Sequence, residues 1–159
     1  MGIIMKKTHL IITAALVLVT ALIAFFYLQG RHQAPEGSLA VICEDKETTV
    51  DPFAAPAADV IGTTVNGKGQ EKEISEKGVK LSDVLSLAGL SKGDYSAVRV
   101  VSSDEYAAEI SAEEVDSGKV AFLIRDQGDD GSAAIRLIVF GDSNSKRQVK
   151  NVVRIEVTK

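Results

Sequence analysis

The chain has 159 residues, of which 25% are charged and 45% hydrophobic, and its formal net charge is −4. The acidic balance argues against nucleic acid as a partner and against general electrostatic binding to anionic lipid. A single cysteine excludes an internal disulfide, so the stability of the protein must come from its core.

An apolar segment without charges, proline or glycine runs from Leu10 to Leu28. At about 1.5 Å per residue it spans about 28 Å, enough to cross the hydrocarbon core of a bilayer. Lys6 and Lys7 precede it, which by the positive-inside rule keeps the amino terminus in the cytoplasm. The alternative is a cleaved signal peptide, whose apolar region is usually about 7–15 residues long. We predict a single-pass protein of the cell membrane with a cytoplasmic tail at 1–9, a transmembrane signal anchor at 10–28, a linker at 29–37 and an exported domain at 38–159 outside the cytoplasm.

The first part of the exported region reads as short strands. Apolar and β-branched residues predict strands at 38–43, 60–65 and 71–75, and the turn-rich segment 66–69 joins the last two as a hairpin. Two prolines limit residues 49–58 to one irregular helical turn.

A helix is predicted in the next segment of the chain. Ser82 can cap its first turn, and Gly89 ends it. Apolar residues recur at the spacing of one helix face, at Leu81, Val84, Leu85 and Ala88.

The remaining segment is predicted to contain four strands and a second short helix. Ser111 and Glu114 form a capping box at the start of that helix, with Ile110 and Val115 as its hydrophobic staple. Strands dominate and do not alternate regularly with helices, so we predict an α+β domain with a mixed β-sheet. The four predicted strands cover residues 97–101, 120–124, 134–140 and 149–157.

The exported region offers few groups that could react or bind metal. Both histidines, His9 and His32, lie in or beside the anchor, which excludes histidine-based nucleophile pairs, zinc sites and haem ligation within the domain. Cys43, the sole thiol, is interpreted as a small buried apolar residue, with a ligand or redox role as the alternative. The segment 126–131 superficially suggests a calcium loop, but Leu137 stands where an EF-hand needs a carboxylate, so a solvated hairpin turn is the better interpretation.

Four segments share their content and order with a known domain: GVKLSDVLSLAGL at 78–90, SSDEY at 102–106, RLIVFG at 136–141 and QVKNVVRIEV at 148–157. They resemble the molybdopterin-binding domain of the sulfite oxidase family. That family shows a GVPL-x-DLL-x-x-AG helix, an S-x-DGY strand end, an R-L-x-VPG strand and a closing VKW-x-x-x-IEV strand. The resemblance covers Thr63 to Val157 and implies the fold of that domain.

The resemblance also implies a binding site. In the family, the loop after the R-L-x-VPG strand packs around the pterin phosphate; Lys146 or Arg147 matches its first lysine, and Lys150 matches its second. The pocket would lie between this loop and the loop at 65–69. Cations beside a Gly-containing turn could hold a phosphate or carboxylate, and an ordinary solvated loop is the alternative. The predicted cofactor-binding residues are Lys146, Arg147, Lys150 and Tyr106.

The family's oxidases hold molybdenum through one cysteine just upstream of the GVPL run, and no cysteine stands there in this sequence. No catalytic or metal-ligating residue is therefore assigned, and molybdopterin as cofactor is implied only by the resemblance. We expect a membrane-anchored, extracytoplasmic, molybdopterin-oxidoreductase-like domain that acts as a non-catalytic binding or accessory module. The alternative is a redox protein that binds a molybdopterin cofactor and exchanges electrons with a membrane partner. The expected partners are the membrane, through the N-terminal helix, and an envelope or redox protein.

Overall fold

The computed structural model describes residues 16–23, 37–128 and 130–159. The chain divides into two compact units, Met1–Gln33 and Ala34–Lys159. In the first unit residues 16–23 are helical. Three predicted segments lie outside the described residues: the tail at 1–9, the anchor at 10–28 except for residues 16–23, and the linker at 29–37 except for its last residue. No helix in the described part of the chain is long and apolar enough to cross a membrane.

The second unit contains nine strands, two α-helices and one 3₁₀ turn within its described residues. The strands are β1 (Leu39–Cys43), β2 (Lys46–Val50), β3 (Ala57–Val65), β4 (Glu71–Lys80), β5 (Ala97–Ser102), β6 (Ala107–Ser111), β7 (Ala121–Gln127), β8 (Ala133–Val139) and β9 (Val152–Thr158). The helices are α1 (Leu81–Leu87) and α2 (Ala112–Asp116), and the 3₁₀ turn is Pro52–Ala54.

The strands form two sheets. The first has the spatial order β2-β1-β9-β5-β6, in which β1 and β9 are parallel and the other neighbours are antiparallel. The second has the order β3-β4-β7-β8 and is antiparallel throughout. The predicted α+β domain with a mixed sheet and short helices is therefore confirmed.

The main core lies between the two sheets. Its fully buried side chains include Leu39 and Ile155 from the first sheet and Leu123 and Leu137 from the second. The apolar sides of both α-helices pack into the same cluster. The other side of the first sheet carries charged side chains, such as the Arg99–Glu156 pair at 2.7 Å.

The hairpin of β3 and β4 folds across the outer face of β7 and β8. Val60 and Ile74 of the hairpin join Phe122, Ile124 and Ile138 in a second, smaller buried cluster. Two glycines allow the close approach. A Cβ atom on Gly78 would lie 2.4 Å from the carbonyl oxygen of Leu123, and one on Gly62 would lie 2.8 Å from the ring of Phe140. The hairpin therefore lies over this face of the sheet rather than extending away from the domain.

The helix ends agree with the sequence except at one cap. Lys80, rather than Ser82, is the N-cap residue of α1, and no side chain caps this end, so the predicted Ser82 cap is wrong. Ser82 lies in the first turn, where its carbonyl accepts a bond from the Ser86 hydroxyl at 3.0 Å. At the other end Gly89 has φ +80°, and its N–H and that of Leu90 bond back into the last turn, as predicted for a Gly-terminated helix.

The predicted capping box of α2 is confirmed. The Ser111 hydroxyl accepts the N–H of Glu114, and the Glu114 carboxylate accepts the N–H of Ser111 at 3.1 Å. Ile110 and Val115, the predicted staple, are both buried in the main core. This short helix is therefore fixed at its start by its own sequence, which positions the Glu114 carboxylate.

Candidate functional site

The loop between β8 and β9, residues 141–151, lies where several elements end. β5 ends beside the start of β9, because Ser102 pairs with Val152. Val149 bridges to Leu137 of β8, which ties the loop to the second sheet. Asn151 has φ +49°, a backbone conformation that interrupts the strand, and this is why β9 begins at Val152 rather than at the predicted Val149.

Arg147 is fixed by two carboxylates. Its Nη1 lies 2.8 and 2.9 Å from the two carboxylate oxygens of Glu114, and its Nε lies 2.9 Å from Oδ2 of Asp142, whose other oxygen accepts from Nη2. Partial burial raises the pKa of Glu114, but the hydrogen bonds from Arg147 and from Ser111 outweigh that effect and lower the pKa below its usual value. The charge of Arg147 is therefore compensated within the protein, and its role in this arrangement is to hold the 141–151 loop to α2.

Tyr106 and Lys146 are brought together. The Tyr106 hydroxyl donates a hydrogen bond to the carbonyl oxygen of Lys146, while 47% of the tyrosine remains exposed. The Lys146 N–H in turn bonds Oδ1 of Asn144 at 2.9 Å. The main chain of the loop is thus held at Lys146, and the lysine side chain itself is exposed.

The tip of the β3–β4 hairpin reaches the same end of the domain. A Cβ atom on Gly67 would lie 3.9 Å from Oγ of Ser145. The tip is ordered by Asn66, whose side-chain oxygen accepts the N–H groups of Lys68 at 2.9 Å and Gln70 at 3.0 Å. The two loops that the sequence places on either side of a pocket are therefore neighbours.

Three lysines are exposed around this junction: Lys68, Lys146 and Lys150. Within the described part of the chain, none of these lysines forms a salt bridge with a carboxylate. The nearby arginines differ, because Arg147 pairs with Glu114 and Asp142, and Arg154 also has a carboxylate partner. Chemically, such ammonium groups can receive an anion beside ordered N–H and hydroxyl groups. We call the 141–151 loop together with the hairpin tip 66–70 and Tyr106 the loop junction.

Cys43 lies at the other end of the first sheet. It pairs with Val157 of β9, whereas the loop junction meets β9 at Val152. Five residues of strand correspond to about 17 Å. The thiol is partly buried in a separate groove of about 230 Å³, which is also lined by Val41, Leu90 and Lys159. This strand register keeps the sole thiol away from the predicted cofactor residues.

Residues 128–132 connect β7 to β8 as a hairpin turn, so the turn predicted at 126–131 begins two residues too early. Residue 129 lies outside the described part. Oδ1 of Asp130 accepts the N–H of Ser132 at 3.0 Å and its hydroxyl at 2.6 Å, and these bonds lower the pKa of Asp130. Among the described residues, no three histidine, cysteine, aspartate or glutamate side chains lie close enough together to hold a metal ion.

Sequence reasoning missed Glu114 and Asp142 as the residues that position the loop. The capping box was a usable signal for the orientation of Glu114, but its contact with Arg147 spans 33 residues and depends on the tertiary fold. No protein-family model matches this chain, and no curated protein matches it.

Proposed function

We propose that the chain is an extracytoplasmic, membrane-anchored, non-catalytic binding module of the sulfite oxidase type of fold, and that it binds an anionic ligand at the loop junction. The observation that carries the proposal is the contrast between the two kinds of cation there. Arg147 is bound to Glu114 and Asp142, whereas Lys146 and Lys150 are exposed without a carboxylate partner among the described residues.

The contacts that hold the loop support binding rather than a merely solvated turn. Side chains from α2 and from the β5–β6 turn hold it at Arg147 and at Lys146, so the main chain is positioned before any ligand arrives. Positioned donors lose less conformational freedom on binding than mobile ones. A phosphate or carboxylate group fits this chemistry, because each ammonium can donate to its oxygens.

The residues at the loop junction do not fit molybdenum. A soft metal of this kind prefers thiolate ligands, and Cys43 is about 17 Å away along β9. The alternative function, a redox protein carrying molybdopterin, would need the metal to be bound at some other place in the protein.

The binding proposal is tested on the full-length chain in detergent by NMR titration with inorganic pyrophosphate and, separately, with citrate. We expect shifts confined to the amides of residues 66–70 and 141–151. Lys146→Glu combined with Lys150→Glu should weaken binding at least about tenfold, since two cations become anions. Lys46→Glu, the same kind of change at an exposed lysine at the start of β2, should leave binding unchanged. Absence of binding of both anions, or an equal effect of both variants, would refute the proposal.

The redox alternative is tested by elemental analysis and pterin fluorescence of protein made in a host that synthesises the cofactor. Near-stoichiometric molybdenum and pterin in the wild-type chain, lost in Cys43→Ser, would replace the binding-module proposal by the redox one. Well-folded protein without metal would leave the binding module as the function to pursue.

A further inference from the structure

The outer edge of β3 is unpaired among the residues that the structure describes. β3 is nine residues long, pairs with β4 along its whole length without a register shift, and forms one border of the second sheet. In the middle of it stands Ile61, 69% exposed. Sheet edges of this length are usually protected, because their free N–H and C=O groups pair readily with another strand.

The opposite border of the same sheet is protected in this way. Gln148 bonds both backbone groups of Val139 in β8, donating to its carbonyl at 2.6 Å and accepting its N–H at 3.3 Å. Beside it, Val149 forms an isolated β-bridge with Leu137, two residues before Val139 in β8. Among the described residues nothing covers β3 in this way, and the strand contains no proline, lysine or bulge.

The chemistry of β3 restricts what can pair with it. Asp59 is its sole charged residue, and the Lys77 ammonium of β4 already binds that carboxylate. A basic or acidic strand would therefore gain no charge pairing here. The edge suits a nearly neutral strand with an apolar residue at its centre, and β3 of a second copy has both properties.

We propose that two copies of this chain associate by antiparallel pairing of their β3 strands around Ile61. In that register each Ile61 lies opposite its counterpart in the second copy, and Asp59 faces Thr63, so no like charges oppose each other. Directly opposed side chains on one face of an antiparallel pair approach to about 5 Å, which covers both isoleucines. The two four-stranded sheets become one sheet of eight strands.

Sedimentation equilibrium of the full-length chain in detergent micelles tests the association. The wild-type chain should be dimeric, and Ile61→Lys should weaken the dimer at least about tenfold, since it removes the apolar contact and places two ammonium groups opposite each other. Leu87→Lys is the matched control, because Leu87 is 41% exposed on α1. The apolar segment 10–28 is the same in all three chains, so its contribution to association cancels. A wild-type monomer, or equal association of all three, overturns the proposal.

Cysteine cross-linking tests the register. In a Cys43→Ser background, Ile61→Cys should give a disulfide-linked dimer under mild oxidation, while Thr63→Cys should not, because residue 63 faces residue 59 of the second copy. Retained far-ultraviolet circular dichroism establishes that each variant is folded. Equal cross-linking at the two positions would exclude this register.

Discussion

Arg147 and Glu114 join two elements that are distant in sequence, with Nη1 of the arginine 2.8 and 2.9 Å from the two carboxylate oxygens. Glu114 is oriented by the capping box of its own short helix, and Arg147 lies in the 141–151 loop. The capping box at the start of α2 therefore also helps to fix the position of a loop that has no regular structure. The interaction ties the 141–151 loop to α2.

Replacing Arg147 with methionine should lower the free energy of unfolding by about 1–2 kcal/mol, because Glu114 and the mostly buried Asp142 lose their partner. Urea unfolding followed by circular dichroism measures the change. Arg99→Met provides the comparison, since Arg99 is 49% exposed and should cost less than about 1 kcal/mol. Equal losses in the two variants would show that Arg147 is no more than a surface ion pair.

The same interaction predicts a pH dependence. The pKa of Glu114 is lowered in the folded state, so the unfolded chain binds its proton more readily. The stabilisation from Glu114 is complete above the unfolded pKa of about 4.3 and is lost as the pH falls through the lower folded value. Glu114→Gln should therefore reduce the slope of unfolding free energy against pH in this range. In an Arg147→Met background the substitution should change the slope much less, and an undiminished change there would contradict the assigned cause.

Gly78 is required by the packing of the hairpin. The Cβ atom of Gly78→Ala would lie 2.4 Å from the carbonyl oxygen of Leu123 and 2.9 Å from side-chain atoms of Val60 and Ile124. We expect a loss of about 3 kcal/mol, because the obstacle includes backbone that cannot rotate away. Gly67→Ala is the control, since its nearest atom lies at 3.9 Å, and a loss of more than about 1 kcal/mol there would contradict the steric argument. Thermal unfolding of both variants gives the comparison.

The sequence predicts this fold where local patterns decide the structure. The apolar strands and the capping box at Ser111 follow from periodicity and capping chemistry, which act over a few residues. β2 was missed because its KETTV sequence is polar and mostly exposed, so it lacks the apolar signal of a strand. The contacts of Arg147 and the proximity of Gly67 to Ser145 arise only when distant elements pack, and no local pattern encodes them.

Gln148 protects the edge of β8. Replacing it should therefore lower the free energy of unfolding more than replacing an exposed glutamine does. Its amide bonds both backbone groups of Val139, which is fully buried, so Gln148→Met leaves a buried N–H and C=O without partners. An unsatisfied buried backbone group costs about 1–3 kcal/mol, and we expect a loss in that range by urea unfolding. Gln70→Met removes a bond of 3.1 Å to Asn66 at the exposed hairpin tip, where water can replace it, so its cost should stay below about 1 kcal/mol. If the two variants lost the same stability, the side chain of Gln148 would not protect the edge of β8, and the two borders of the second sheet would not differ in this respect.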